Sequence, residues 1–476
     1  MNKIKYLAFQ DLLKKILAMI FFILLARILK VDEFSKYQQI LLVINLFASL
    51  FSAGIPMGIS YYHGQSSSYK LKVSVYKRFF YTQLLIAFIG GMVYMILSLY
   101  LSVVFKNNYI YDYSLLIVVI LFTNTTIGLF KNLSTVTNQL KNYLVITSAV
   151  SVISILISTW ILVSTSNIFY LICSLAFFSF LTFAILVKFN LKYFLTKNKN
   201  IFINKNESKY TISMGSVAIV SMINIYIDQM MVSFLLPLSD YSYIKIGSFQ
   251  IPFIGIITGT LVTVMIPIIS NQYKNNKYNE IIKTWSDSIE KSTILLIPII
   301  IFCLIFAQDI IITFFSKKYD GAIIIFQVYM FQWLRAVVIF GGIMGAIGLE
   351  KELLKNTMII TVLNIVINYI MISNYGVIGA AITTTVLNYL ALVLLVRKVD
   401  QILPKKFISY FPFKIYFTSI SLSIFFAFLF KYMLNDYLTS LVYLLACATL
   451  FYIIIIFAQM KLIYNDISIN KLKSLL

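Results

Sequence analysis

Long runs of apolar residues follow one another along the whole chain, separated by short gaps that contain lysine. A tilted helix needs about 20 such residues to cross a hydrocarbon core about 30 Å thick. The runs lack the alternation of polar and apolar positions that membrane β-strands show, which favours helices. The pattern therefore predicts an all-α polytopic membrane protein. We place fourteen membrane-spanning helices at residues 12–30, 37–58, 79–105, 112–131, 143–164, 167–188, 211–236, 242–270, 290–315, 322–348, 354–373, 376–396, 411–431 and 438–460.

The basic residues lie mainly in every second gap, and this bias sets the expected topology. The gap after the second span holds Lys70, Lys72, Lys77 and Arg78, whereas the gap between the fifth and sixth spans holds no basic residue. Because basic loops stay in the cytoplasm, we expect both termini there. The formal net charge of +22 thus follows from topology. It indicates contact with a lipid bilayer and does not predict a nucleic-acid partner.

Two segments of the first half resemble segments of the second half at nearly the same spacing. Phe34 and Ser35, which lead into the second span, correspond to Tyr241 and Ser242, which lead into the eighth. Residues 153–158 of the fifth span correspond to residues 363–368 of the eleventh. Six spans separate the equivalent points, so we expect two halves of like orientation around a central cavity, as in parallel-repeat transporters. The predicted domains are an N-terminal six-helix bundle at 1–190, a cytoplasmic linker at 191–209, a C-terminal six-helix bundle at 210–397, and two further spans with a cytoplasmic tail at 398–476.

Several basic residues fall inside the predicted spans. A charge at the centre of a bilayer is costly, which makes each of these residues a candidate for a substrate pathway. The alternative interpretation is a side chain that extends to the membrane surface from near a helix end. We predict that the residues that contact a translocated substrate are Lys14, Lys15, Arg27, Lys245 and Arg335.

Asp228 is an acidic residue inside the seventh span, roughly 12 Å from its outer end. A buried carboxylate needs either a partner or a proton, and Lys245 and Arg335 are the expected partners. Two interpretations stay open: an ion pair that joins the helices, or a titrating group that couples transport to protons. A proton or ion gradient is the expected energy source, and no cofactor is predicted.

Glycine and proline within the spans indicate bends or close helix contacts. Pro56 lies between Gly54 and Gly58 at the end of the second span, where a bend used for gating is expected. Gly341 and Gly345 are spaced by four in the tenth span, which is typical of close helix packing. The three cysteines lie inside apolar runs and are expected in the core, so no metal site is predicted.

Two motifs resemble those of a known transporter family. Residues 25–29, Leu-Ala-Arg-Ile-Leu, followed by Asp-Glu-Phe at 32–34, are similar to the end of the first helix in Wzx-like polysaccharide flippases. Residues 226–229, Tyr-Ile-Asp-Gln, and the later Asp-Tyr-Ser at 240–242 resemble the motif of the family's second half. Two positions where the family usually has glycine hold lysine and serine here, so the first match is partial.

The resemblance is to the polysaccharide transporters of the MOP superfamily, which also contains the MATE drug exporters and the lipid II flippases. It implies two six-helix bundles around a central cavity and no enzymatic activity. It also implies transport of undecaprenyl-diphosphate-linked oligosaccharide units to the outer leaflet of the bacterial cytoplasmic membrane, for O-antigen or capsule synthesis. The basic residues in the spans would suit the diphosphate, and the polysaccharide polymerase machinery would be a further partner.

Three other kinds of membrane protein would require different sequence features. A MATE-type multidrug exporter of cations needs acidic residues in its cavity, but here the basic residues in the spans outnumber Asp228. A lipid II flippase shares the fold, but the Arg-Asp pair of that group's first helix is not found, and Ala26, Arg27 and Ile28 stand there instead. A membrane glycan polymerase or ligase normally needs a sizeable outer loop, and no outer gap of this chain is long enough.

Overall fold

The computed structural model describes residues 2–52, 54–66, 68–137, 139–194, 201–434 and 441–464. Every element within these ranges is a helix, and none of them is a strand. The predicted all-α class is therefore confirmed. Parts of the predicted linker at 191–209 and of the C-terminal tail lie outside the described residues, as do the side chains before Lys14.

The chain divides into two compact units, Met1–Ser242 and Tyr243–Leu476. Helix α10 crosses this boundary. The helices that begin in the first unit are α1 (Asn2–Ile28), α2 (Val31–Ser52), α3 (Ile55–Gln65), α4 (Tyr69–Val104), α5 (Tyr109–Asp112), α6 (Ser114–Val136), α7 (Leu140–Thr165), α8 (Ile168–Phe194), α9 (Lys205–Leu235) and α10 (Leu238–Gly247).

The second unit is built around α12, which packs against α11, α14, α18 and α19. Two 3-10 turns, Lys317–Tyr319 and Leu334–Val338, and a closing π turn, Met460–Tyr464, complete it. The helices of this unit are α11 (Pro252–Lys274), α12 (Tyr278–Ile305), α13 (Ala307–Phe315), α14 (Ala322–Trp333), α15 (Phe340–Ala346), α16 (Glu350–Val399), α17 (Phe407–Tyr410), α18 (Phe413–Leu434) and α19 (Leu441–Gln459).

Twelve helices within the described residues are long and apolar enough to cross a membrane. One of them, α16, contains two of the predicted spans, because Gly376 interrupts it with a φ of 60°. Helix α1 is 27 residues long and is not among the twelve, because its charged residues are spread along its length. If α16 is counted twice and α1 is added, the helices correspond to the fourteen predicted spans.

Four of the predicted spans are not single helices. The structure divides them into the pairs α2 and α3, α10 and α11, α12 and α13, and α14 and α15. The first of these breaks lies where the sequence indicated a bend, at Gly54 and Pro56. Local chemistry explains two of the breaks, because Gly54 precedes Pro56 at the start of α3 and Pro252 begins α11.

The break between α2 and α3 is closed by backbone packing. Gly54 has a φ of 82°, and a Cβ at this position would overlap the carbonyl oxygen of Thr211 on α9. Only glycine fits so close an approach with a positive φ. Gln83 Nε2 donates to the Phe51 carbonyl at 2.9 Å, which satisfies one backbone group near the end of α2. Pro56 lies in the first turn of α3, where its missing N–H costs nothing.

A buried ion pair holds the start of α9. The Asn204 side chain accepts from the N–H of Glu207 at 2.9 Å, and Glu207 Oε2 accepts from the Asn204 N–H at 2.9 Å, which forms a capping box. Arg78 of α4 binds the same carboxylate with two donors, one of them Nε at 3.1 Å. Its Nη1 donates to Ser74 at 3.1 Å. Glu207 is 2% exposed, so α4 and α9 are joined by a charge pair whose hydrogen-bonding groups are satisfied.

The opposite end of α9 is joined to α2 by buried amides. Gln39 Nε2 donates to Ser233 Oγ at 3.2 Å, and Asn107 Nδ2 donates to Gln39 Oε1 at 3.2 Å. All three side chains are at most 2% exposed. Hydrogen bonds of this kind join membrane helices where the hydrophobic effect does not. The polar residues at this end of the second span are therefore structural.

Candidate functional site

The tenth predicted span is interrupted near its middle. Helix α14 ends at Trp333, the 3-10 turn Leu334–Val338 follows, and α15 begins at Phe340. Ile339, between the turn and α15, has a φ of 49°, which is rare for a β-branched residue. Discontinuous membrane helices leave backbone groups without intrahelical bonds and are common at the binding sites of transporters.

Two side chains of α12 satisfy carbonyls in this interrupted segment. Trp285 Nε1 donates to the Val338 carbonyl at 2.8 Å, and Ser292 Oγ donates to the Val337 carbonyl at 2.5 Å. Trp285 and Ser292 are both fully buried. An unpaired carbonyl in hydrocarbon is costly, so the two bonds hold the break in a defined shape.

The second half of α16 supports the other side of the break. Tyr389 Oη donates to the Phe331 carbonyl at 2.9 Å, and Thr385 Oγ1 donates to the Val328 carbonyl at 3.3 Å. The two donors are four residues apart and therefore lie on one face of α16. The interrupted span is thus bonded to a second helix as well as to α12.

Arg335 lies in the 3-10 turn, between these two supports. Its Nη2 donates to Asn388 Oδ1 at 2.9 Å. Its Nε is buried without a hydrogen-bond partner in the described part of the chain, where Arg335 also forms no ion pair with a carboxylate. The guanidinium does not lose its proton, so the charge persists. A half-buried planar cation with a buried spare donor suits a phosphate or a carboxylate.

Further polar groups flank Arg335. Gln332 Oε1 is buried and has no hydrogen-bond partner among the described residues. Gln327, one turn and a half earlier in the span, instead donates to the Leu304 carbonyl at 3.1 Å and has a structural contact. Gln332 and Asn388 therefore add amide groups to the cation, and amides bind hydroxyl groups as donors or acceptors.

The predicted basic residues of α1 lie in the first unit. Arg27 is exposed in the last turn of α1, Lys15 is exposed, and Lys14 is half-buried. Helix α1 packs mainly against α7. Their contact with a substrate stays a prediction.

Asp228 lies in α9 and Lys245 in α10. Asp228 is 8% exposed in α9, and Lys245 is half-buried in the last turn of α10. Arg335, the second predicted partner of Asp228, donates to Asn388 instead. The roles of Asp228 in pairing with Lys245 and in energy coupling stay predictions.

The glycines of α15 differ from their predicted packing role. A Cβ at Gly341 or Gly345 would meet no atom of the described residues within 4 Å, so the predicted close packing is not seen at either position in this part of the chain. The contact is made by Gly342, where a Cβ would lie 2.5 Å from Met265 Cε of α11. The reason is that α15 begins only at Phe340, so the helical face differs from that of a continuous span. A gating role for Pro56, beside the break at Gly54, stays a prediction.

Sequence reasoning missed the residues that support Arg335. Trp285, Ser292, Asn388 and Tyr389 come from α12 and α16, far from Arg335 along the chain. A signal was present, because an asparagine, a serine or a tryptophan N–H inside an apolar span needs a partner. The identity of that partner depends on the fold.

Solved structures share this fold. Lipid II flippase MurJ in an inward closed conformation has a TM-score of 0.76 and 16% identity, covering 97% of this chain and 99% of that chain. An inward-facing multidrug resistance MATE family transporter of the MOP superfamily has a TM-score of 0.62 and 13% identity, covering 82% and 94%. A MOP superfamily transporter from Pyrococcus furiosus, described by a reverse polarity of its binding pocket, has a TM-score of 0.56 and 12% identity, covering 84% and 95%. Similarity at these identities shows the fold.

The sequence itself matches one family model. The model describes polysaccharide biosynthesis proteins and matches residues 24–324, which is more than half of the chain. A comparison with curated protein sequences finds no match. The matched range includes Arg27, Asp228 and Lys245 and ends shortly before Arg335. This chain therefore belongs to the polysaccharide biosynthesis protein family, with the multi-helix membrane fold of the MOP superfamily transporters.

Proposed function

We propose that this protein is a flippase for undecaprenyl-diphosphate-linked oligosaccharide units. It would move them from the cytoplasmic to the outer leaflet of a bacterial cytoplasmic membrane, for synthesis of a surface polysaccharide such as O-antigen or capsule. The observation that carries the proposal is the guanidinium of Arg335, which is held at a broken helix with a buried spare donor. Membership of the polysaccharide biosynthesis family supports a glycan precursor as the cargo.

Arg335 is the proposed contact for the diphosphate. A diphosphate offers several anionic oxygens, and a guanidinium binds two of them at once. The amides of Gln332 and Asn388 would bind neighbouring oxygens or the hydroxyl groups of the first sugar. The bonds from Trp285 and Ser292 fix the backbone on which Arg335 sits, so the cation is positioned before the substrate arrives.

Transport of this kind needs no catalytic group, because no covalent bond is formed or broken. The polar part of the lipid would cross the protein by alternating access while the prenyl tail stays in the bilayer. Lys14, Lys15 and Arg27 in the first unit and Lys245 in the second would add charge contacts along the path. Titration of Asp228 would couple the movement to a proton or ion gradient. The polymerase machinery would use the unit on the outer side.

Complementation tests the proposal in cells. The gene is expressed in strains that lack a known O-unit or capsule-unit flippase, and surface polysaccharide is measured together with resistance to cationic drugs. Restored polysaccharide without drug resistance is the expected result. Drug resistance without polysaccharide would instead assign the chain to multidrug export, the MATE-type alternative.

A strain depleted of its lipid II flippase tests the remaining alternative. The proposal expects that the gene does not restore growth there, since its cargo is a polysaccharide unit and not the cell-wall precursor. Restored growth together with unrestored polysaccharide would contradict it.

A further inference from the structure

We propose that Tyr61, backed by Tyr210, is a stacking platform for a sugar ring of the transported oligosaccharide. The inference rests on the proposed function and deepens it, since it concerns recognition of the glycan and not of the diphosphate. Both residues belong to the first unit, where Tyr61 lies near the end of α3 and Tyr210 near the start of α9. The positive-inside rule assigns these helix ends to the cytoplasmic side, where the cargo is first bound.

Three tyrosine rings form the platform. The rings of Tyr61 and Tyr210 are stacked with centroids 4.3 Å apart and an angle of 15°. The ring of Tyr62 is nearly perpendicular to both, at 5.1 Å from Tyr61 and 5.8 Å from Tyr210. A third ring at similar distances from both members of a stack lies beside the stack, because a ring on its outer face would be much farther from one of them. The outer face of Tyr61 is therefore left open by the other two rings.

Exposure agrees with this geometry. Tyr61 is 44% exposed, whereas Tyr210 and Tyr62 are half-buried. Within the described ranges, the ring contacts of Tyr61 are with Tyr62 and Tyr210, and its hydroxyl forms no hydrogen bond. A flat aromatic face and a hydroxyl are thus both available to a ligand.

The platform is held in place by contacts between α3 and α9. Tyr62 Oη donates to the Asn206 carbonyl at 3.0 Å. One residue after Tyr210, Thr211 packs against Gly58, where a Cβ would lie 2.8 Å from its Oγ1. The capping box at Glu207 fixes the first turn of the same helix. Rings that are already ordered lose little freedom when they bind a ligand.

The chemistry of this surface fits a pyranose ring. One face of many pyranoses carries several C–H bonds with a small positive charge, and the face of a tyrosine ring is negative. Stacking on tyrosine therefore recognises the sugar ring, and it requires no charged side chain in the membrane. An ordinary interfacial tyrosine is the alternative, since such residues anchor proteins at headgroup level. An anchor does not need a parallel ring behind it, and it contacts lipid without regard to sugar.

Transport assays in proteoliposomes separate the two explanations. The substrate is the lipid-linked oligosaccharide extracted from the strain that the gene complements, and the competitor is undecaprenyl diphosphate without sugar. Tyr61→Leu is expected to raise KM for the oligosaccharide lipid about fivefold to tenfold. The inhibition constant of the sugar-free competitor stays unchanged, because it does not contact the platform. Tyr61→Phe keeps the ring and therefore keeps KM within a factor of about two.

Controls address folding and location. Tyr100→Leu removes a tyrosine that is 67% exposed on α4 and away from the platform, and its KM is expected to equal that of the wild type. Tyr61→Trp retains an aromatic face and replaces Tyr61→Leu if the leucine variant does not fold. The fluorescence difference between Tyr61→Trp and the wild type, which removes the signal of the three native tryptophans, is expected to change with the oligosaccharide lipid and not with the competitor.

Each result has one meaning. Equal KM values for Tyr61→Leu and wild type, or equal changes for substrate and competitor, would overturn the platform. A Tyr61→Trp signal that is the same with both lipids would overturn it as well. A wild-type protein that moves no lipid-linked oligosaccharide would contradict the proposed function instead, before the platform is tested.

Discussion

Two arginines, one near the start of α4 and one in the break of the tenth span, have opposite surroundings. Arg78, in the first unit, contacts the carboxylate of Glu207 with two donors and Ser74 with a third. Arg335, in the second unit, contacts the amide of Asn388, and its Nε has no hydrogen-bond partner in the part of the chain that is described. Arg78 uses Nε, Nη1 and Nη2 for hydrogen bonds within the protein, whereas the Nε donor of Arg335 is unused among the described residues.

This difference separates a structural charge from a functional one. A buried cation without a carboxylate is costly, and a stable fold keeps it where a ligand supplies the missing anion. The helix breaks show the same contrast. The break at Gly54 is filled by backbone packing against α9, but the break at Ile339 carries an arginine and an unpaired glutamine oxygen. Burial alone therefore does not identify the site, and unused hydrogen-bonding capacity does.

The largest effect on stability is expected for Arg78→Ala. Its loss leaves Glu207 buried without its partner, which lowers the free energy of unfolding by about 3–5 kcal/mol. Thermal unfolding in detergent measures this loss of stability. The double variant Arg78→Met with Glu207→Met removes both charges and should recover most of the loss, apart from about 1 kcal/mol for the lost cap. An unchanged unfolding temperature for Arg78→Ala would contradict the structural role assigned to Arg78, and with it the difference between the two arginines.

Arg335→Ala is expected to have the opposite effects: it lowers transport and leaves stability intact. Transport of lipid-linked oligosaccharide falls about 100-fold, which corresponds to about 2.7 kcal/mol of lost binding to the anion. The unfolding temperature stays equal or rises, because a half-buried charge without a carboxylate partner has been removed. Arg335→Lys keeps the charge and loses the planar fork, so it should transport at an intermediate rate. A large drop in stability with Arg335→Ala would make this residue structural as well.

Trp285→Phe tests the support of the broken helix. The change removes the donor to the Val338 carbonyl and lowers the free energy of unfolding by about 2 kcal/mol. Transport falls with it, because Arg335 loses its fixed backbone. Trp160→Phe is the matched control, since Trp160 is 71% exposed and should tolerate the same change. Equal behaviour of the two variants would contradict a supporting role for Trp285.

Asn388→Ala is expected to have the smallest effect. The amide positions Arg335 through one hydrogen bond, so transport should fall about fivefold, which corresponds to about 1 kcal/mol. Asn374→Ala, at an exposed position of the same helix, should leave transport unchanged. Transport and thermal unfolding are measured for both variants. An equal loss of transport in both would show that any change in α16 lowers transport, and would contradict a specific role for Asn388.

Sequence alone located much of this architecture. Hydrophobic runs predicted the helices because a membrane requires them to be long and apolar, and Arg335 stood out because charge is rare at such depth. Gly54 and Pro56 indicated a bend. The Asn204 and Glu207 spacing is a recognisable capping box, but nothing local identifies Arg78 as its third member.

The support of the site could not be predicted, because it depends on contacts between distant helices. Ile339 lies inside an apolar run that predicts a helix, and its positive φ occurs beside the two carbonyls that accept bonds from Trp285 and Ser292. The glycine spacing in the same span pointed to Gly341 and Gly345, whereas the close contact in the described residues is at Gly342. Tertiary hydrogen bonds overrode local preference at that point.

Binding of undecaprenyl diphosphate to the purified protein tests most directly whether Arg335 is an anion site. Affinities are measured for the wild type, for Arg335→Ala and for the Arg78→Met, Glu207→Met pair in the same detergent. The account predicts at least about tenfold weaker binding for Arg335→Ala and wild-type affinity for the paired variant. Wild-type affinity in a folded Arg335→Ala protein would contradict the account.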